Sequence, residues 1–97
     1  MPKGYWIGNM DVHDPEVYEK YRKANAKPFA DHGAKFLVRG GTQQVREGQM
    51  HSRSVVIEFP SYAAAVACYE SPAYQAAKDI RLSVSDGTLL IIEGYDG

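Results

Sequence analysis

The amino-acid sequence predicts an α+β domain in βαββαβ order, a four-stranded antiparallel sheet with its helices on one face. Three observations lead there. Four short segments carry apolar residues in strand-like patterns: Tyr5–Val12, Lys35–Arg39, Arg53–Phe59 and Thr88–Glu93. Helix-start signals at Asp14-Pro15, Ser61 and Ser71-Pro72 follow the first and third of them. The 97 residues leave room for one domain, residues 1–97, with one modest core, and no linker or internal repeat divides them.

Along the first strand, Trp6, Met10 and Val12 share one face and Tyr5, Ile7, Asn9 and Asp11 the other. Asp14 can accept a backbone N–H at the start of the first helix, where Pro15 suits the first helical position. Val17, Tyr21, Ala24 and Pro28 follow at helical spacing, with Tyr18 and Phe29 beside them. Pro28 lacks an N–H and is expected to kink or interrupt this helix near Ala26–Lys27. His32-Gly33 supplies the stop. After the second strand, Gly40-Gly41 marks a bulge or a close backbone approach, Thr42–Val45 continues the strand, and a turn follows at Glu47-Gly48. Pro60-Ser61 ends the third strand. Ser61 caps an Ala-rich helix over Tyr62–Tyr69, and Ser71-Pro72 opens a second helical piece from Pro72 to about Arg81. Asp86-Gly87 reads as a turn before the last strand. Right-handed crossovers put the helices on one side of the sheet.

That leaves a face without cover. Trp6, Met10, Val12, Phe36, Val38, Val55, Ile57, Phe59, Leu90 and Ile92 form the set expected beneath the helices. The opposite face is expected to carry Tyr5, Ile7, Leu37, Val56, Leu89 and Ile91, interleaved with Asn9, Asp11, Lys35, Arg39, Ser54, Glu58 and Glu93. A solvated face normally alternates to polar residues, and this one would be an exposed apolar patch. A second copy, sheet against sheet across a two-fold axis, is the simplest cover, so a homodimer is expected. The polar residues between the sheets then either pair as ions or line a small-molecule pocket.

Composition sets the function classes aside or keeps them. Eleven Lys and Arg against twelve Asp and Glu give a net charge of −1, no drive toward nucleic acid or anionic lipid. No apolar run approaches the roughly 18 residues that span a bilayer, and no signal-peptide core follows the start. The single cysteine, Cys68, fits a reducing compartment, so a cytoplasmic location is expected, and its apolar helix makes it a buried, inert thiol.

Several stretches together resemble a family of small bacterial proteins known only as a domain of unknown function. They are His32 through Gly41, Glu47-Gly48, Val55 through Ser61, and Tyr69-Glu70-Ser71-Pro72-Ala73-Tyr74 followed by Arg81. Asp14-Pro15 with Tyr18 and Tyr21, and Glu93-Gly94, also match. The resemblance covers nearly the whole chain. It implies the ferredoxin-like fold of the dimeric α/β-barrel superfamily, and the same face-to-face dimer. Superfamily relatives include cofactor-free quinol-type monooxygenases, muconolactone isomerases and haem-binding peroxidases, with sites between sheet and helices or within the barrel. Their chemistry transfers by analogy alone. The chain departs from the family pattern at Ala34-Lys35, where glycine and arginine are common, and at Gln49-Met50-His51, which lacks an aromatic residue often found there.

The candidate chemistry centres on a few side chains. Arg39, before Gly40-Gly41, could hold a carboxylate or enolate in bidentate fashion, or simply pair with Glu58 or Glu93. His32, at a helix end, or Glu58 would move the proton; for His32 the bland reading is a C-terminal cap. The catalytic candidates are therefore His32, Arg39 and Glu58. The ligand-binding candidates are Asn9, Asp11, Arg39, Tyr69, Tyr74 and Arg81, the last three flanking the break at Ser71-Pro72, where a mouth into the barrel could open. Tyr69 and Tyr74 could equally be packing residues. A metal site would require Asp11, His13 and Asp14 to converge, which the helix-capping role of Asp14 disfavours, so no metal and no cofactor is expected. A haem group lacks a histidine deep in a strand. The functional expectation is a homodimeric small-molecule-binding protein, in its enzymatic form a cofactor-independent monooxygenase or isomerase acting on a small aromatic or carbonyl compound. The alternative is a non-catalytic binding or structural module.

Overall fold

In the computed structural model, which describes residues Pro2 to Asp96, the elements run β1 (Gly4–Val12), α1 (Pro15–Asp31), β2 (Lys35–Arg39), β3 (Arg53–Phe59), α2 (Tyr62–Glu70), α3 (Pro72–Val84) and β4 (Ser85–Glu93). Caps set the helix boundaries. The Asp14 carboxylate accepts the N–H groups of Glu16 and Val17 at 3.1 and 3.2 Å. Ser61 Oγ accepts from Ala64 N at 3.0 Å. Ser71 serves both neighbours: its hydroxyl donates to Cys68 O at 2.7 Å and accepts from Tyr74 N at 3.3 Å, so one residue closes α2 and opens α3. Gly33, at φ 73°, ends α1 in the left-handed conformation that glycine tolerates.

The strands pair antiparallel in the order β2-β3-β1-β4, the split βαβ topology expected. Trp6 is the centre of the core at 1% exposure. Its ring meets Phe29, Phe59, Tyr69 and Tyr74 at centroid distances of 5.2, 5.3, 5.8 and 4.8 Å, and its indole N–H donates to Ala65 O at 2.9 Å. Strand and all three helices are thereby locked to one side chain.

Several expectations are corrected. Helix α1 runs through Pro28 without a break. The proline lies in the last turn with its ring buried, and its own carbonyl accepts from His32 N at 3.2 Å and lies 2.7 Å from His32 Nδ1. Thr42–Val45 forms no strand; Gln43 is held instead by side-chain bonds, its Nε2 donating to His51 O at 2.9 Å. Asp86-Gly87 is not a turn but part of β4, paired with Asp11 and Met10. Gly87 is needed because a Cβ there would collide with the backbone of Asn9 and Met10. The bulge in β2 falls at Leu37, before the glycines.

That bulge and the register of β4 reassign the faces. Arg39 pairs with Val55 and so lies on the helix side, whereas Val38 pairs with Val56 and turns to the open side. Leu89, Ile91 and Glu93 pair with Gly8, Trp6 and Gly4 and share the helix side; Leu90 and Ile92 face outward. The apolar patch survives with a changed membership. Val38, Val56, Ile7 and Leu90 are successive register partners across all four strands, a continuous band in which Val38, Ile7 and Leu90 are 42, 41 and 49% exposed. No helix is long and apolar enough to cross a membrane among the described residues.

Gly4 packs against the start of α2, where a Cβ would lie 2.5 Å from Ser61 O and 2.6 Å from Tyr62 Cα. Backbone cannot yield as a side-chain tip can, so Gly4→Ala is expected to destabilise by about 1–3 kcal/mol. Urea denaturation checks this; an unchanged midpoint would show that α2 can move away from β1.

Candidate functional site

Where α1 and α3 rest on the sheet, the side chains beneath them do not close completely. A cavity open to solvent on one side lies between helices and sheet. Trp6, Phe29, Phe36, Val55, Ile57 and Leu89 give it apolar walls, Tyr18, Tyr21 and Tyr74 supply hydroxyls, and Arg22, Arg39, Arg53 and Arg81 supply cations. Gly8 opens it further: the nearest atoms to a Cβ there would be the flexible ends of Met10 and Leu89.

Each arginine is positioned by its surroundings. Arg81, 8% exposed on α3, sits with its guanidinium carbon 5.8 Å from the Tyr21 ring centroid. Burial opposes its charge, and the contacts with Tyr74 and Tyr21 more than offset that, leaving its pKa above the ordinary value. Arg39, turned inward by the bulge, stacks over Phe36 at 4.1 Å. Arg53 lies against Tyr18 at 5.8 Å and fills the space beside Gly40, where any Cβ would meet its guanidinium. The gap at Gly40 thus admits Arg53 rather than a ligand. Arg22 donates to Glu19 Oε2 at 3.2 Å on the outside of α1. Among the described residues, no protein group bonds the buried Nε atoms of Arg22, Arg53 and Arg81.

The hydroxyls of Tyr21 and Tyr74 are 2.9 Å apart. Burial pushes both pKa values up, Tyr74 far beyond the usual range, so both stay protonated and act as hydrogen-bond groups.

A second polar cluster occupies the open face. Asn9 Oδ1 accepts from His51 N at 2.7 Å, while its Nδ2 donates to His51 O at 3.1 Å and Ser54 Oγ at 3.1 Å. Asp11 takes the Ser52 N–H at 2.8 Å and lies 2.8 Å from His51 Nδ1. Ser54 Oγ donates to Gln43 Oε1 at 2.7 Å. These bonds fasten the His51–Ser52 end of the β2–β3 loop to β1, and Gln43 near its other end to His51 and to Ser54 of β3.

The sequence-predicted residues therefore separate. Arg39, Tyr74 and Arg81 line the cavity. Tyr69 packs edge-on against Trp6 outside it, and Asn9 and Asp11 hold the loop on the opposite face. His32 caps α1 through Pro28 O. Glu58 bonds Lys3 Nζ at 2.8 Å on the open face rather than Arg39, and Glu93 stands across from Gly4. The three catalytic candidates His32, Arg39 and Glu58 are not brought together, because the bulge carries Arg39 to the other side of the sheet from Glu58. Asp11, His13 and Asp14 do not converge either: His13 lies 2.7 Å from Asp86, and Asp14 caps α1. Among the described residues, no three His, Cys, Asp or Glu side chains form a metal-ligand group. Cys68 is buried, its thiol pushed up to about 12 by desolvation and by Asp31.

Sequence reasoning missed Arg22, Asn25 and Arg53. A signal existed: Arg22 and Asn25 interrupt the buried stripe of Tyr18, Tyr21 and Phe29 on α1, and Arg53 holds the same strand parity as Val55, Ile57 and Phe59. Polar residues on a core-facing stripe mark a place where something polar is accommodated.

A model of the family described as a domain of unknown function (DUF1330) matches residues 3–95. The fold is shared with a Rhodopseudomonas palustris protein of unknown function, RPA0582, at 19% identity and a TM-score of 0.77, covering 99% of this chain and 85% of that one. SnoaB, a cofactor-independent oxygenase from Streptomyces nogalater, matches at 15% identity and a TM-score of 0.63 over 100% of this chain and 97% of that one. A dimeric ferredoxin-like protein of unknown function from Thermobifida fusca matches at 17% and 0.63, over 95% and 91%. Among curated proteins, none matches the chain.

The bonds from His51, then from Ser52, hold the Asp11 carboxyl well below the usual carboxylate range. A depressed folded-state pKa stabilises the fold above the unfolded value of about 3.9, and that contribution is lost as pH falls through the lower folded value. Carboxyl NMR is expected to place the Asp11 midpoint below about 3.9. Asp11→Asn should speed amide exchange at His51 and Ser52; unchanged exchange would mean the loop is held without Asp11.

Proposed function

The chain belongs to the DUF1330 family, and on that premise we propose that it is a homodimeric small-molecule-binding protein whose site is the cavity between helices and sheet. The observation that carries this reading is the lining: apolar and aromatic walls with a few convergent polar groups, the usual makeup of a small-molecule site. The dimer rests on the apolar band across the open face, which a second copy would bury sheet to sheet. The Thermobifida fusca protein of like fold is described as dimeric. The net charge of −1 and the single buried cysteine fit a cytoplasmic protein that engages neither nucleic acid nor membrane.

The enzymatic form of this reading is a cofactor-independent monooxygenase or isomerase acting on a small aromatic or carbonyl compound, with Arg39 holding an enolate oxygen. The Streptomyces oxygenase supports it by analogy of fold alone. A non-catalytic binding module is the second reading, and one observation favours it. Among the described residues, no His, Asp, Glu, Cys or Lys lines the cavity, so its polar wall consists of tyrosine hydroxyls, Asn25 and arginines, with no carboxylate, imidazole, thiol or amine to serve as general base.

Sedimentation equilibrium is expected to show a dimer, and Leu90→Glu, which sets a charge in the middle of the band, a monomer. A wild-type monomer at micromolar concentration would sink the dimer. Native mass spectrometry of protein purified from cells is expected to show a small molecule retained by the wild type. Gly8→Val, which grows a side chain into the cavity, should lose that mass while keeping the fold; retention by both would place the ligand elsewhere.

A further inference from the structure

The four arginines of the cavity have almost no counter-charge. Among the described residues, Arg22 alone of the four touches a carboxylate, Glu19, and does so on the exposed side of α1. Among the described residues, no Asp or Glu lines the cavity, and the Nε groups of Arg22, Arg53 and Arg81 are buried without a protein partner. Buried guanidinium donors of this kind are costly unless something accepts their hydrogen bonds. Three of them around one cavity, in a chain whose overall charge is −1, are not a general excess of basic residues. They are a local cationic lining.

From this we infer that the ligand of the cavity is a small carboxylate with a flat apolar body. The inference rests on the reading of the cavity as a binding site and names the chemical class that site would take. Burial orders the groups. Arg81, more than nine-tenths buried and beside the ring of Tyr21, whose hydroxyl meets that of Tyr74, forms the inner end. Arg22 and Arg53 are half-buried, and Arg39 is exposed at the mouth. A planar carboxylate matches a guanidinium in bidentate geometry, and a tyrosine hydroxyl can donate to the same oxygen. The body then lies among Trp6, Phe29 and Phe36, where a flat ring makes edge or stacked contacts. An inorganic anion would satisfy the arginines and leave those walls without contact.

The test compares cinnamate with cinnamamide, equal in shape and different in charge, by titration calorimetry with the emission of Trp6, the single tryptophan, as a second readout. Cinnamate is expected to bind at least about tenfold more tightly, a difference of about 1.4 kcal/mol. Raising the salt should weaken cinnamate and leave cinnamamide unchanged. Arg81→Gln should abolish the difference. Should that variant fail to fold, Arg39→Gln, at an exposed position, should narrow it. Equal binding of the two compounds would overturn the carboxylate assignment while leaving the binding cavity intact. Binding of neither to a folded wild type would overturn both. Inorganic phosphate binding as tightly as cinnamate would overturn the requirement for an apolar body.

Discussion

The hydrogen bond from the Trp6 indole to the carbonyl of Ala65 fixes the distance between the middle of the sheet and α2, and the rest of the core is arranged around the ring it orients. Phe29 brings α1 to that ring and Tyr74 brings α3. Removing a large buried aromatic costs about 3–5 kcal/mol, a large share of the roughly 5–15 kcal/mol that holds a domain together. The same indole forms part of the cavity wall. Stability and site geometry therefore rest on one side chain, and neither can be altered there without the other.

Around this centre the two faces of the sheet carry different loads. The helix side holds an aromatic core with a cationic gap in it; the open side holds an apolar band and a polar clamp that pins a loop. The near-neutral total charge conceals this division. Arginines collect at the cavity, whereas Asp11 and Glu58 lie on the far face, engaged with His51 and Lys3. A balanced sum of charges says little about the field inside a cleft, which depends on where each charge stands.

Element order was legible because its signals are local. Asp14, Ser61 and Ser71 cap the helices within three residues of themselves, and no distant partner is needed to read them. The phase of β4 was not legible. Leu89-Leu90-Ile91-Ile92 is apolar at every position, so a period of two has no polar member to choose the face. Only pairing with β1 decides it. Lys35-Phe36-Leu37-Val38-Arg39 gives no sign of its bulge, and one extra residue there moved Arg39 from one face to the other. Of the cavity residues, Tyr74, Arg81 and Arg39 carry the stronger sequence signals, whereas Arg53 and Arg22 show only as polar residues on core-facing positions of β3 and α1. The loop clamp joins Asn9 and Asp11 to residues forty or more positions away, beyond the reach of any local pattern.

That clamp also divides the β2–β3 connection into tethered ends and an untethered middle. Gln43 and His51 are tied to the strands, and between them Gly48 has nothing within 4 Å of where its Cβ would sit. The length of this middle stretch is thus free of any geometric duty to the sheet. Lengthening a flexible connection adds only a slowly growing closure entropy, so residues could be inserted between Gln44 and Met50 at little thermodynamic cost. The β2–β3 connection is the natural place in this fold for a reporter peptide or a purification tag, carried outside the frame that β1 and β3 build.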